Sequence, residues 1–280
     1  MATVYIKPGT GTGTGTLADP YYYSQLSSAE TAAGAGGTIL FTDGEYTLTA
    51  VNTIFDGLGN NTDFTYRSLN PQKAVFKSTA TANKLNVNYS ANGGNINFHD
   101  FKLDNLSLVV YNGGGGVVSG NYVTASNLTI GTNTQFIKVS NSTGTSRIIN
   151  NTFHLAWSSG TYITRQLGYA DEFSGNTIYI SNLSGATSVQ VPYSSTNDIR
   201  SCPIAKNNIF ASDDTTGTKL DTLNSWAGSL NNCCFHQFDD SNNASGGTDN
   251  VFADPQFVDS ANGDYRLRPA SPCINAGTAS

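Results

Sequence analysis

The chain has 280 residues, a formal net charge of −6, and 12% charged residues against 38% hydrophobic ones. Its 14 Lys and Arg form no cluster, which argues against a nucleic-acid partner, and no apolar run reaches the 18 or so residues of a membrane span. Disorder pairs low hydrophobicity with high net charge, so scarce charge together with 14 Tyr and 14 Phe indicates an ordered protein.

Residues 1–6 enter a strand at once, without the basic start and apolar core of a signal peptide. Either a leader has been removed or the protein leaves its cell another way, such as inside a virus particle; the expected location is virion or extracellular. After the strand and Pro8, the Gly-Thr run of residues 9–16 reads as a mobile surface loop. Asp19-Pro20 introduces residues 21–35, the best helix candidate, where Ser27 and Glu30 have capping-box spacing. A helix here suits a lid over the open end of a repetitive β structure.

From Gly37 onward the chain is short β-prone runs closed by Gly, Asn, Ser or Pro. A phrase then recurs: a polar or Gly residue followed three positions later by an apolar one. Its members are Asp100/Leu103, Asn127/Ile130, Asn150/Phe153, Gly175/Ile178, Asn207/Phe210 and Asn232/Phe235, spaced by 27, 23, 25, 32 and 25 residues. A second Asn follows at Asn151, Asn176 and Asn208. A period in the twenties built from short strands and Asn/Gly corners is the signature of a solenoid. In the clearest turn the three strands are residues 152–157, 161–165 and 171–174. The predicted fold is all-β, a right-handed single-stranded parallel β-helix with an N-terminal capping helix, its Asn corners bonded along the stack. A β-sandwich would not require a persistent repeat length. The chain reads as a single β-helix domain over 1–280: strand, loop and capping helix in 1–36, turns in 37–250, and a closing segment in 251–280.

Both ends carry a resemblance. Val4-Tyr5-Ile6, Pro8-Gly9, Asp19-Pro20, the Ala-rich helix and residues 37–46 look like the opening of many pectate-lyase-like β-helix proteins. Asp254-Pro255, Phe257, Asp259, Gly263-Asp264-Tyr265, Leu267 and residues 271–277 resemble the closing segment of the same group, which usually has Asp where this chain has Asn275. The group includes polysaccharide lyases, glycosidases, surface adhesins and phage tailspikes, so the resemblance implies a fold and a carbohydrate partner more than a reaction.

A lyase needs a base and a cation, whereas a hydrolase needs two carboxylates. If Ile137 and Val139 face inward, Phe136, Lys138, Tyr162 and Gln190 share an outer face, with His154, Trp157 and Arg165 close in sequence. Lys138, Arg165 and His154 are the candidate catalytic cations and base. Trp157, Tyr162, Phe136 and Gln190 are the candidate sugar platform. Lys138 and Arg165 read more simply as ordinary solvated side chains. Of the acidic pairs Asp171-Glu172, Asp213-Asp214 and Asp239-Asp240, Asp213 and Asp214 are the catalytic candidates for hydrolysis, although acids in such loops commonly cap backbone amides.

No metal site is expected. Cys202, Cys233, Cys234 and His236 have poor zinc spacing, and the cysteines read as buried thiols with no disulfide assignable. Ca²⁺ is a candidate cofactor at Asp254, Asp259 and Asp264, whose spacing matches no EF-hand and fits turn capping better. Three functions stand open: a virion-associated or cell-surface protein that binds polysaccharide, tail-fibre or tailspike-like and a candidate homotrimer; a lyase or glycoside hydrolase acting on an acidic glycan; and a structural rod without ligand.

Overall fold

The computed structural model describes residues 2–48, 52–55, 63–78, 84–88, 94–111, 115–126, 135–140, 145–156, 166–167, 170–181, 204–213, 230–237 and 247–278. The chain forms two compact units, residues 1–123 with 137–147 and residues 124–136 with 148–280.

In the first unit consecutive strands visit three sheets in rotation. Thr38–Phe41, Gly44–Leu48 and Asn52–Phe55 make one turn; Phe64–Ser68, Ala74–Ser78 and Lys84–Asn88 make the next; Ile96–His99, Lys102–Asp104 and Ser107–Tyr111 follow. Each strand pairs in parallel with its counterpart one turn on: Thr38 with Thr65, Gly44 with Ala74 and Asn52 with Lys84. The same rule then pairs Phe64 with Ile96, Val75 with Lys102 and Lys84 with Ser107. Three strands per turn and parallel pairing throughout these turns make a single-stranded parallel β-helix, right-handed as parallel crossovers are. Alternate residues point inward: Phe41, Tyr46, Phe64, Tyr66, Phe76 and Phe98 are all essentially inaccessible. Phe101 lies 4.3 Å from Phe98, 5.2 Å from Phe76 and 5.2 Å from Phe41, ring centre to ring centre, so one aromatic column runs through three turns.

Sequence reasoning places a helix over 21–35; the structure has strand Tyr21–Tyr22, a 3₁₀ turn Tyr23–Gln25 and an α-helix Leu26–Ala33. The Ser27–Glu30 capping box is not formed, because the helix begins before Ser27. Glu30 is instead buried, accepting the Tyr66 hydroxyl at 2.7 Å, while Gln25 Oε1 takes the backbone N–H groups of Tyr22 at 3.2 Å and Gly13 at 2.8 Å. The lid itself is present: Tyr23 sets its ring edge against Tyr46 and Phe76, at 5.6 and 6.1 Å.

The Gly-Thr run is hydrogen-bonded rather than the mobile loop expected. Gly15 carbonyl accepts the Tyr5 N–H at 2.9 Å, Thr14 donates to Asp19 Oδ2 at 3.0 Å, and a Cβ on Gly13 would sit 2.1 Å from the Pro20 carbonyl oxygen. Its glycines are the means of close packing, which composition alone does not distinguish from looseness.

The second unit repeats the plan. Glu172–Ser174, Ile204–Lys206 and Leu230–Asn231 pair in parallel in one sheet. Thr152–Ala156, Thr177–Ser181, Ile209–Ser212, Cys234–His236 and Val251–Phe252 pair in parallel in another. The chain closes with an antiparallel hairpin, Phe257–Asp259 with Asp264–Leu267. Among the described residues, no helix is long and apolar enough to cross a membrane.

The recurrent phrase is the corner between the two sheets. Its first residue adopts a left-handed conformation: Asp100, Asn150, Asn207 and Asn232 have φ between 54° and 64°, and Gly175 has φ 65°. One member changes. The corner stacked on Asp100 is Gly120 (φ 66°), followed by buried Asn121 and Val123, and the expected Asn127/Ile130 pair lies outside the described residues. The second Asn carries the stacking bonds. Asn176 Oδ1 accepts the Asn151 N–H at 2.9 Å, and Asn208 Oδ1 accepts the Asn176 N–H at 2.9 Å. Asn176 Nδ2 donates to Ile148 carbonyl and Asn208 Nδ2 to Phe173 carbonyl, both at 2.9 Å.

Candidate functional site

One residue beyond the buried apolar member of each phrase, strand alternation sets the side chain on the outer face of the sheet, where Ala211 is nonetheless fully covered. In the second unit this places His154, Tyr179, Ala211 and His236 in register on four adjacent strands. Two of the chain's 3 histidines therefore share one transverse row. The C-terminal hairpin lies over part of it. Tyr265 sits 5.7 Å from His154 and 5.1 Å from Tyr179, and Phe257 sits 6.0 Å from Tyr179. Beside this covered part the row carries Ala211, its smallest side chain, and there a cleft of about 400 Å³ opens, a size typical of small-molecule sites.

The sheet side of the cleft comprises Tyr179, Ala211, Ser212, Asp213, His236 and Gln237. The rest of the lining is the closing segment: Asp254, Pro255, Gln256, Phe257, Ser260 and Arg268. Asp213 directly follows strand Ile209–Ser212, and its N–H donates to Ile180 carbonyl at 3.2 Å. Asp254 Oδ1 accepts the Gln256 N–H at 2.8 Å, fixing that turn, while Arg268 donates from its guanidinium to Val258 carbonyl at 3.0 Å. The closing segment is anchored at several points. Cys273 is bridged to Cys234, the Ser271 hydroxyl donates to Pro255 carbonyl at 2.6 Å, and Asn207 both donates to Thr278 carbonyl at 2.9 Å and accepts its N–H at 3.0 Å.

Burial beneath the hairpin holds the His154 imidazole below its ordinary pKa, opposed by the Asp213 carboxylate. A hydrogen bond at 3.1 Å joins His154 Nε2 and the Ser181 hydroxyl. Burial pushes the Tyr179 hydroxyl up; a hydrogen bond with Ser260 opposes this, and the negative charges of Asp213 and Asp254 add to it. Two carboxylates from distant parts of the sequence thus act on one phenol at the cleft wall.

Of the candidates read from sequence, the structure brings His154 and Asp213 into one electrostatic neighbourhood, with Asp213 in the cleft and His154 packed under Tyr265. Phe136 and Lys138 lie in strand Gln135–Ser140, where Lys138 pairs with Val109. Trp157, Tyr162, Arg165, Gln190 and Asp214 lie outside the described residues. The sequence reading does not single out Tyr179, Gln256 or Arg268, and gives His236 and Asp254 other roles. The signal for the row was available: each member stands four residues after its corner, from Asn150, Gly175, Asn207 and Asn232.

The cysteine reading is corrected. Cys234 and Cys273 form a disulfide, Cα atoms 6.2 Å apart, leaving Cys233 as a buried thiol whose pKa burial pushes to about 11. Cys202 lies outside the described residues. The three acids considered for Ca²⁺ each serve a turn of their own. Asp254 accepts from Gln256, Asp259 from Asn262 Nδ2 at 2.8 Å, and Asp264 from Arg266 Nε at 2.8 Å, which holds the Asp264 carboxyl down to about 2. Among the described residues, no three His, Cys, Asp or Glu side chains gather as a metal cage.

No protein-family model and no curated protein matches the sequence. The chain is similar to the crystal structure of pectate lyase Pel9A at 15% identity and a TM-score of 0.38, covering 100% of this chain and 92% of that one.

Proposed function

We propose that this parallel β-helix binds an extended polysaccharide through the cleft over Ala211. The observation that carries the reading is the make-up of that cleft. Ring surfaces from Tyr179 and Phe257 stand beside Asp213, His236, Gln237, Gln256, Ser260 and Arg268 in a single open depression. Sugar rings offer apolar C–H faces for stacking and hydroxyls that both donate and accept, and this wall supplies partners for each. The protein's low charge and Gly/Ser/Thr/Asn-rich turns support a place on a virion or cell surface, as a tail-fibre or tailspike-like component. A homotrimer of such a chain would show a solution mass near three times 29.6 kDa.

A second reading is favoured by one specific feature. Asp213 and Asp254, from distant parts of the sequence, both line the cleft, and glycoside hydrolysis uses two carboxylates. For a lyase, no Lys lines the cleft among the described residues, and the cation it offers there is Arg268.

The test is incubation with a panel of neutral and uronate polysaccharides, followed by retention, reducing-end release and absorbance at about 235 nm, where the unsaturated products of a lyase absorb. Retention without product is expected for the binder, and new reducing ends without absorbance for the hydrolase. Asp213→Ala is expected to weaken retention about tenfold, the loss of a hydrogen bond to a charged group, and His236→Ala severalfold, each measured in the protein that remains folded. Silence across the panel, or retention indifferent to both substitutions, would remove the cleft as the glycan site.

A further inference from the structure

We propose that the first unit carries a second chemical site, in which Ser119 and His99 act as nucleophile and general base toward a small carboxylic ester. The observation behind it is a hydrogen bond of 2.6 Å between Ser119 Oγ and His99 Nδ1, within the roughly 2.6–3.2 Å that an activated nucleophile and its base require. Register builds the pair. Strand Gly116–Ser119 lies parallel to Ile96–His99 with Ser119 opposite His99, and Phe64–Ser68 flanks the other side with Arg67 opposite the same histidine. Alternation turns Phe98 and Val118 into the core, both 0% exposed, and leaves His99 and Ser119 half-buried on the outer face with Arg67 exposed. Asp100, the left-handed corner that follows His99, completes the group. Its Oδ2 accepts Arg67 Nε at 2.7 Å, and a Cβ on Gly120, directly after Ser119, would come 2.2 Å from its Oδ1. The carboxylate therefore lies between Arg67 and the Gly120 backbone, beside the pair.

Burial holds the His99 imidazole below its ordinary pKa, opposed by the Asp100 carboxylate and assisted by the Arg67 guanidinium, so at neutral pH the ring can accept a proton. With its own proton on Nε2, it receives the Ser119 hydroxyl proton at Nδ1. Ser119 Oγ bonds to the ester carbonyl carbon as that proton passes across. Collapse of the adduct breaks the bond to the alcohol, which leaves with the proton from Nδ1. A water then adds to the acyl-serine, giving its proton to Nδ1, and the carboxylic acid departs as Ser119 recovers its hydrogen. One ester and one water become one acid and one alcohol. Asp100 stabilises the transient imidazolium, the part an acid plays beside any Ser–His pair. The charge of Arg67, which already acts on the imidazole, favours the oxyanion formed beside it. None of this uses the cleft of the second unit, whose binding role stands or falls separately.

The experiment treats the intact protein with a fluorophosphonate, which esterifies an activated serine as fluoride leaves, and locates the adduct by peptide mass spectrometry. An adduct on Ser119 is expected. His99→Gln should slow its formation at least about hundredfold, the low end of what a general base supplies, in protein whose melting curve shows it folded. The wild-type rate should hold from about pH 8 down to the ordinary histidine value of 6.5 and fall below it, a profile that a merely structural hydrogen bond would not give. p-Nitrophenyl acetate should be hydrolysed with the same profile, and Ser119→Ala should remove that turnover. No adduct, an adduct confined to other residues, or a labelling rate unmoved by His99→Gln would overturn the proposal.

Discussion

Two residue types share each corner, and they do different work. The first supplies a left-handed backbone, which costs most side chains about 1–2 kcal/mol but Asn and Gly less. The second places a buried amide where the next turn's backbone needs bonds. At Asn176 all of this is visible: 0% exposed, its Oδ1 taking the Asn151 N–H and its Nδ2 serving Ile148 carbonyl. Asn176→Ala is expected to lower stability by about 1–3 kcal/mol, the cost of stranding buried partners, measured by denaturant unfolding. A loss under half a kcal/mol would mean the ladder is decorative. Gly175→Ala tests the other half of the corner, since its φ is 65° and a Cβ would meet Asn150 Oδ1 at 2.2 Å. The expected loss is about 1–2 kcal/mol, whereas Asn in the same place should cost less. The ladder was legible in sequence because Asn recurs; its geometry was not. The expectation of side chain stacked on side chain is met at 3.1 Å between Asn151 and Asn176, but the shorter bonds run from side chain to backbone. Repetition of a letter cannot say which atom of the next turn it reaches.

At the scale of the element, the closing segment decides whether there is a site. The hairpin and the turn at Asp254–Gln256 form one whole wall of the cleft, and the tail beyond them is held by Cys273, by Asn207 and by Asn232 Nδ2 on Ala276 carbonyl at 3.4 Å. Cys273→Ser removes the covalent tie across 39 residues. It is expected to cost about 2–4 kcal/mol of stability, as native disulfides of this loop size do, and to weaken glycan retention in the protein that remains folded. Unchanged retention with lowered stability would confine the bridge to a structural role. The segment's motifs were readable as turn caps, and they are: Asn275 takes φ 61°, a conformation that suits Asn as well as the Asp usual in similar closing segments. What it covers could not be read, because a hairpin packing on an outer sheet face leaves no period. The site is for the same reason half legible. Asp213 and His154 stand out as chemistry-bearing residues near repeats, while Tyr179 passes for one more strand aromatic until the register sets it beside them.

Across the whole chain, each unit has a half-buried histidine whose imidazole burial holds below its ordinary pKa, and this predicts how the protein responds to acid. His99 in the first unit hydrogen-bonds the Ser119 hydroxyl at 2.6 Å; burial lowers its pKa, with Asp100 opposing and Arg67 assisting. His154 in the second unit is lowered by burial against the pull of Asp213. Both prefer to be neutral when folded, so the unfolded chain binds more protons once the pH falls below the ordinary histidine value of 6.5. Stability is then full above that value, and is lost as pH falls from it through each folded pKa. One unit of depression corresponds to about 1.4 kcal/mol. The loss is distinct from that of Asp264, whose carboxyl is held down to about 2 by Arg266, so that its contribution fades only between the ordinary 3.8 and that value. Thermal unfolding between pH 7.5 and about 4.5, which brackets the histidine window and stays above the Asp264 one, should show a falling transition temperature. His99→Gln and His154→Gln should each flatten part of the slope, and the double variant nearly all of it. A transition that ignores pH across the window, or a slope that survives the double variant, would place the acid sensitivity elsewhere in the chain.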